Sequence, residues 1–326
     1  MILLVPVQGP INATIPQAVT RGYPLLILFF FTLLSGGCTP PKPIMSVPGT
    51  PDRLEVLEPC QNWQTRHPEW LWCDDFEVDR LSSYFEYDIR HGRFVREEHV
   101  GVNGSSGMRA EYLPGDPHGG FLHLAFGKTP MAYMRAVDAG TARYTEIYWR
   151  FHLRLQHGWT GGGADKLTRA TILSSDRFAQ AAIGHIWSGA HPHSDPERLY
   201  LDPASGTDES GMLRTTTYND FPRLRWLGAA QGTTPLFAEA NVGRWFCIEV
   251  HMKLNSAHDA DGTFDFWIDN RLEAQRIGLN WIGAYSDFGI NAVYLENYWT
   301  SVPFSNVQQR YFDNLVVSTK RIGCAP

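Results

Sequence analysis

Between Tyr144 and Leu155 apolar and polar residues alternate without interruption. Ile147, Trp149, Phe151, Leu153 and Leu155 fall on one side, and Glu146, Tyr148, Arg150, His152 and Arg154 on the other. A period of two is what a half-buried β-strand requires. The first set predicts a core face. The second is polar yet rich in Tyr, Arg and His, a composition suited to an anionic ligand, with an ordinary solvated face as the alternative. Further strands are predicted at Gly120–Phe126, Gln180–Trp187, Trp245–Asn255, Thr263–Asp269, Ala292–Tyr298 and Tyr311–Ser318. In the third of these, Phe246, Ile248, Val250, Met252 and Leu254 oppose Trp245, Glu249, His251 and Lys253. The Asp259-Ala260-Asp261-Gly262 stretch predicts a hairpin turn into the next strand, since Asp bonds its own backbone and Gly tolerates positive φ. Sustained helical periodicity is lacking. Many antiparallel strands joined by long loops predict an all-β fold, a two-sheet antiparallel β-sandwich or jelly roll.

The N-terminal region reads differently. Tyr23 to Leu34 form a short apolar run, preceded by Arg21 and followed by Ser35, Gly36, Gly37 and Cys38. This is the order of a signal peptide, and the run is too short to span a bilayer comfortably, which takes about 20 apolar residues. The Leu34–Cys38 segment is similar to a bacterial lipobox, with Ser35 where Leu is usual, and the similarity implies lipidation of Cys38. Cleavage at the small residues with release is the alternative. Either way the protein is exported, and any membrane contact runs through the lipid anchor. Residues 39–59 are Pro-rich and aperiodic, as a tether would be. Residues 60–326 are expected to form one β-sandwich domain.

Composition narrows the partners. A hydrophobic share of 43% with 19% charged residues is that of a folded domain, and a formal charge of −6 argues against nucleic acid. The 11 Trp, 13 Tyr and 18 Phe favour pleated surfaces first and a sugar-stacking site second. Apart from Cys38 there remain Cys60, Cys73, Cys247 and Cys324, an even number suited to an oxidising compartment. Three pairings are open. The reading favours Cys60–Cys73, a local loop, and Cys247–Cys324, which would tie the C-terminal end to a central strand. None of the four forms a Cys-x-x-Cys pair, so zinc is not supported. His191 and His193 form an H-P-H spacing without a third ligand, and no metal is assigned there.

The run Gly243-Arg244-Trp245, with the long strand, the Asp261-Gly262 turn and the Trp267-Ile268-Asp269 hairpin that follow, resembles concanavalin A-like sandwiches. The closing Tyr311–Gly323 segment, with Phe312-Asp313-Asn314, resembles the last strand of that fold. Within the superfamily, Gly161-Gly162-Gly163-Ala164-Asp165-Lys166-Leu167 is similar to the G-G-K-L-P-G-L stretch of the alginate and glucuronate lyases of polysaccharide lyase family fourteen. Two residues intrude before Lys166, and Thr168-Arg169 stands where Pro-Gly is expected.

The resemblance implies β-elimination on a uronic-acid polymer. That reaction needs a cation to neutralise the carboxylate, a base for the C5 proton and an acid for the leaving oxygen. Lys166 inherits the functional lysine of the stretch, with Arg169 beside it. His185 is the expected base or carboxylate partner, set against a satisfied core histidine. Tyr200 is the expected tyrosine, ahead of Tyr218, Tyr294 and Tyr298, which read as packing residues. Tyr148, Arg150, His152 and Arg154 are the expected substrate-binding set. No cofactor is assigned; a structural calcium in the sandwich loops stays compatible with the sequence, although Asp259 and Asp261 are better explained by their turn. An E-x-D-x-x-E strand, a G-x-S-x-G elbow and a Walker loop are all lacking, so retaining glucanase, α/β-hydrolase and P-loop chemistry have no support. The partner expected is an acidic polysaccharide, turned over by a lyase or held by a non-catalytic carbohydrate-binding or adhesion lipoprotein.

Overall fold

In a computed structural model of the chain, residues 60–160, 166–189, 195–299 and 305–324 can be described. The export segment, Cys38, the tether, Gly161–Asp165, His191 and His193 lie outside them. Two eight-stranded antiparallel sheets form a sandwich. The first runs in the order Arg271–Leu279, Gly262–Ile268, Phe246–Lys253, Glu146–Leu155, Gln308–Ser318, Gly107–Tyr112 and Phe94–Glu97, with Trp70–Asp74 also paired to Gln308–Ser318. The second runs Arg225–Trp226, Leu199–Ser205, Gln180–Ser188, Lys166–Leu173, Ala292–Tyr298, His118–Ala125 and Glu86–Asp88, with Ala230–Gln231 on Leu199–Ser205. All seven predicted strands are present within a few residues of their expected bounds. Helix is confined to Trp63–Arg66 and short 3-10 turns among the described residues.

The alternation does what its period dictates. Ile147, Trp149, Phe151 and Leu153 are fully buried, and so are Ala170, Ile172 and Leu201 on the facing sheet. At about 25 cal/mol per Å² of apolar area, two such faces supply the main drive for stacking the sheets. Polar contacts also cross this core: the Trp149 indole donates to Thr168 Oγ at 3.0 Å, and that hydroxyl donates to the Tyr294 carbonyl at 2.7 Å. Gly184 faces inward, where a Cβ would sit 3.0 Å from the Phe264 ring. Its lack of a side chain lets the sheets close beneath the next residue, His185, which faces outward.

Turn chemistry fixes the hairpins. Asp269 and Asn270 have φ of 49° and 66° and join strands that pair at Ile268 and Arg271. Positive φ at both central residues is the signature of the type I′ turn, whose twist matches the strands. The Asp259–Gly262 hairpin is also present, but its glycine works for another reason than the one expected. Gly262 does not have positive φ; a Cβ there would lie 2.5 Å from Trp281 Cδ1. Asp261 closes the loop by accepting from the Ser256 amide at 2.6 Å and hydroxyl at 2.9 Å. Both favoured disulfides form, Cys60–Cys73 and Cys247–Cys324.

Candidate active site

Strand register assembles a row of ionisable and aromatic side chains on the outer face of the second sheet. Glu86, His123, Tyr294, Arg169, His185 and Asp202 are directly paired, each with the next, across six strands. Further along the same strands, beyond Glu296, His118, Tyr298, Lys166, Trp187, Tyr200 and Gln231 form a second row. Alternate residues of the same strands, such as Val293 and Leu295, enter the core. The expected catalytic residues Lys166, Arg169, His185 and Tyr200 therefore share one face. Lys166 opens the strand Lys166–Leu173.

Arg169 sits in a cage. It donates to Glu296 Oε1 at 3.0 Å, to Asn219 Oδ1 at 2.8 Å and to the Tyr218 hydroxyl, and its guanidinium lies 5.0 Å from the ring centres of Tyr218 and Tyr294. Its side chain is wholly buried, so it orders its neighbours and is not positioned to meet a polymer. Lys166 Nζ lies 3.7 Å from the same Glu296 oxygen and 5.6 Å from the Tyr298 ring, and it keeps some exposure. Burial pushes the Glu296 carboxyl up, but Arg169 and Lys166 overcome it and hold the group ionised below its usual range. From beneath, Arg310 of the first sheet reaches through the core. It donates to the backbone carbonyls of Lys166 at 3.0 Å and Glu296 at 2.8 Å, and to Asn297 Oδ1 at 2.6 Å.

The titrating groups are tuned by burial. His185 is pushed well below the ordinary histidine value by desolvation, reinforced by the charges of Arg169 and Lys166, so its ring is neutral near pH 7. Its Nε2 is buried without a hydrogen-bond partner among the described residues, and the ring stacks on Trp187 with centres 4.4 Å apart. His123 is also depressed by burial, although its Nδ1 lies 3.2 Å from Glu86. Desolvation raises the phenols of Tyr218 and Tyr294, keeping them protonated. Asp202 is pushed up to about 6 by burial. A neutral imidazole with a buried Nε2, a partly exposed cation and protonated phenols share one face, and these are group types that acid–base chemistry on an anionic ligand uses.

The expected substrate-binding set lies elsewhere. Tyr148, Arg150, His152 and Arg154 are on the outer face of the first sheet, with the hydrophobic core between them and Lys166. That face is covered by the protein itself. Arg150 donates to the Gly323 carbonyl at 3.0 Å and lies 5.9 Å from the Trp70 ring, and its burial lowers it to about 10. Arg154 is held between Trp245 and Tyr311, at 4.9 and 4.5 Å, and donates to the Val100 carbonyl. Tyr148 stacks on His251, and His152 is lowered to about 4, mainly by burial and then by Arg150. The C-terminal segment is pinned there by the Cys247–Cys324 bridge and by Glu249, which accepts from the amides of Ile322 and Gly323. The polar alternation was read correctly as a face, but what meets it is the chain itself, around Trp70 and Gly323.

Glu296, Tyr294, Tyr298, His123, Trp187 and Asp202 were missed or set aside as packing residues. A signal for three of them was present, since Tyr294, Glu296 and Tyr298 alternate with Val293 and Leu295. Among the described residues no group of three or more His, Cys, Asp or Glu side chains is arranged to hold a metal ion.

The architecture is a two-sheet antiparallel β-sandwich. The sequence itself matches no family profile and no curated protein. Among solved structures, the marine PL-14 alginate lyase from Aplysia kurodai is similar with a TM-score of 0.51 at 10% identity, covering 77% of this chain and 99% of that one. The endo-β-1,4-glucuronan lyase from the fungus Trichoderma reesei gives 0.48 at 15% identity, over 77% and 96%. The alginate lyase vAL-1 from Chlorella virus gives 0.45 at 13%, over 79% and 97%. At these identities the likeness is one of fold.

Proposed function

We propose that the chain is an exported lyase that cleaves an acidic, uronic-acid polysaccharide by β-elimination. The observation that carries this reading is the pair of rows on the second sheet, where Lys166, a neutral His185 and protonated tyrosines share one face over a buried Arg169–Glu296 pair. Fold alone does not fix activity. In this reading Lys166 neutralises the substrate carboxylate, which makes the C5 proton acidic. A base takes that proton, the electron pair forms the C4–C5 double bond, and the C4–O bond breaks; His185 is the base in this reading if substrate binding uncovers its Nε2. The leaving oxygen takes a proton from a phenol of the Lys166 row, where Tyr298 stands on one side and Tyr200 beyond Trp187 on the other. Arg169 and Arg310 hold this geometry and do not touch substrate.

Incubation with alginate, glucuronan and heparin-like polymers, followed by ultraviolet absorbance of unsaturated uronate ends, tests the reading. Absorbance should rise with the wild type and fall on the order of 100-fold or more in Lys166→Met and His185→Ala. Tyr298→Phe and Tyr200→Phe then assign the acid. No absorbance across the panel from folded protein sinks the lyase, and retention on a glycan without turnover would make the chain a binding module. Export through Tyr23–Leu34 and lipidation at Cys38 complete the proposal, and two disulfides agree with an oxidising compartment. Labelling with a radioactive fatty acid should be lost in Cys38→Ala; unchanged labelling removes the anchor.

A further inference from the structure

Most large aromatic side chains of the sandwich are buried, with Trp149, Trp281 and Trp299 at 1% exposure or less. Trp226 and Phe221 are exceptions at 42% and 37%. Their rings are nearly parallel, 9° apart with centres 6.2 Å from each other, so their faces share one orientation. The pair is held rigidly. Trp226 is paired to Ala204 at the sheet edge, and Phe221 opens a 3-10 turn with Pro222 next to it. Asp220 anchors the turn by accepting from the Thr216 amide at 2.9 Å and from Arg223 at 2.9 Å.

The platform is continuous with the candidate active site. The His185 ring centre is 6.1 Å from that of Trp226. Trp226 pairs with Ala204, two residues along the strand from Asp202, so it stands one pleat beyond the His185 row. The segment that presents the platform also supplies Tyr218 and Asn219 to the Arg169 cage. Exposed Arg223 lies in the same segment, its guanidinium paired with Asp220 at 2.9 Å, while Arg225 alternates with Trp226 to the opposite face and donates to the Asn280 carbonyl.

We propose that Trp226 and Phe221 form a sugar-binding subsite that stacks the apolar face of the pyranose ring next to the one cleaved. This rests on the proposed function for the identity of the polymer, but the stacking can be read without turnover. A pyranose offers axial C–H bonds to an aromatic face, and a ring already ordered on a strand loses little entropy in receiving it. The spacing from His185 to Trp226, 6.1 Å between ring centres, is about one sugar unit, so a chain seated over His185 and running along the strands towards Trp226 would place its next ring on the platform.

The test uses wild type, Trp226→Ala and the conservative Trp226→Phe in affinity electrophoresis through gels containing alginate, glucuronan or heparin, together with kinetics on long polymer. Trp226 is exposed at the sheet edge, and thermal unfolding checks that the variants fold. Trp226→Ala should weaken retardation and raise KM by about five- to tenfold while kcat changes less than twofold, and Trp226→Phe should recover most of the loss. Retardation without turnover, lost in Trp226→Ala, keeps the platform and overturns the lyase reading. Cleavage with unchanged KM and retardation in Trp226→Ala overturns the platform and leaves the lyase reading standing. A wild type that no gel retards overturns the platform, and so does a wild-type dimer that Trp226→Ala converts to monomer, which would make the patch a contact between copies of the chain.

Discussion

Glu296→Leu isolates the buried pair beneath the proposed active face. In the wild type Arg169 is fully buried, and Glu296, 3.0 Å away, is its only carboxylate partner among the described residues; Asn219 and Tyr218 supply neutral acceptors. Leucine leaves the guanidinium charged, buried and without a counter-charge. Breaking one side of such a pair costs about 3–5 kcal/mol. For a domain of this size each kcal/mol lowers the melting temperature by about 2–4 °C, so a fall of about 10 °C is expected. The double variant Arg169→Met/Glu296→Leu removes the stranded charge and should recover most of that loss, because a buried pair is often replaceable by apolar side chains of similar volume. The pH dependence has a definite sign. Glu296 is held below its unfolded value of 4.5, so its stabilisation is fully present above pH 4.5 and is lost as pH falls through the folded value. The deficit of Glu296→Leu should stay constant from pH 8 to pH 5 and shrink only in stronger acid. Thermal unfolding followed by circular dichroism, with both disulfides intact, reads all of this. A single variant within about 1 kcal/mol of wild type, or a double variant no more stable than the single, would refute the assignment of Arg169 and Glu296 as a buried ion pair.

The other expectations concern the rest of the sandwich. His152, lowered to about 4 by burial, is neutral in the fold and charges in the unfolded chain below about pH 6.5, so its penalty develops as pH falls from 6.5 towards 4. The stability of His152→Phe relative to wild type should therefore rise over that window; Asp313, pushed up to about 7 by burial, works in the opposite sense but is present in both proteins, and parallel Tm curves would refute the shift. Opening Cys247–Cys324, whose partners are 77 residues apart, should cost about 4 kcal/mol, and Cys60–Cys73, 13 apart, about 3 kcal/mol, measured by urea unfolding of the paired Cys→Ala variants. Equal or negligible losses would show that the bridges act through something other than loop closure. Arg150→Met should lower the melting temperature while changing KM on any cleaved polymer less than twofold, and a large KM effect would return the first sheet's outer face to the binding site.

Strands whose two faces differ in polarity were legible, and those whose faces do not were hidden. Glu146–Leu155 shows clean alternation because its inner residues are aliphatic or aromatic and its outer ones polar. Lys166–Leu173 does not, because a bulge between Lys166 and Thr168 breaks the period and Thr168 is a polar residue buried against Trp149. Leu199–Ser205 contains Pro203, which argues against a strand by the usual rule but is accommodated here. The site was half legible for a related reason. Both outer faces carry Tyr, Arg and His at alternating positions, and nothing local to Tyr148–Arg154 reveals that residues near Trp70 and Gly323 cover it. That information resides in contacts such as Arg150 with Gly323, 173 residues apart.

The same separation explains why Arg169 could be named but not given its role. Its partners Asn219 and Glu296 are 50 and 127 residues away, and only strand register brings them together. A cation in a sequence looks like a group offered to a ligand; in the fold it is the residue that orders the ligand's neighbours. Lys166 is one row further out and still partly exposed, so in the proposed reading it keeps the part that Arg169 gives up. Register thus separates two adjacent basic residues into a positioning group and a candidate catalytic one, and a pair of variants can tell them apart. Arg169→Met should lower both stability and turnover, whereas Lys166→Met should abolish turnover with little change in melting temperature, because its charge is partly hydrated and its salt bridge is long at 3.7 Å.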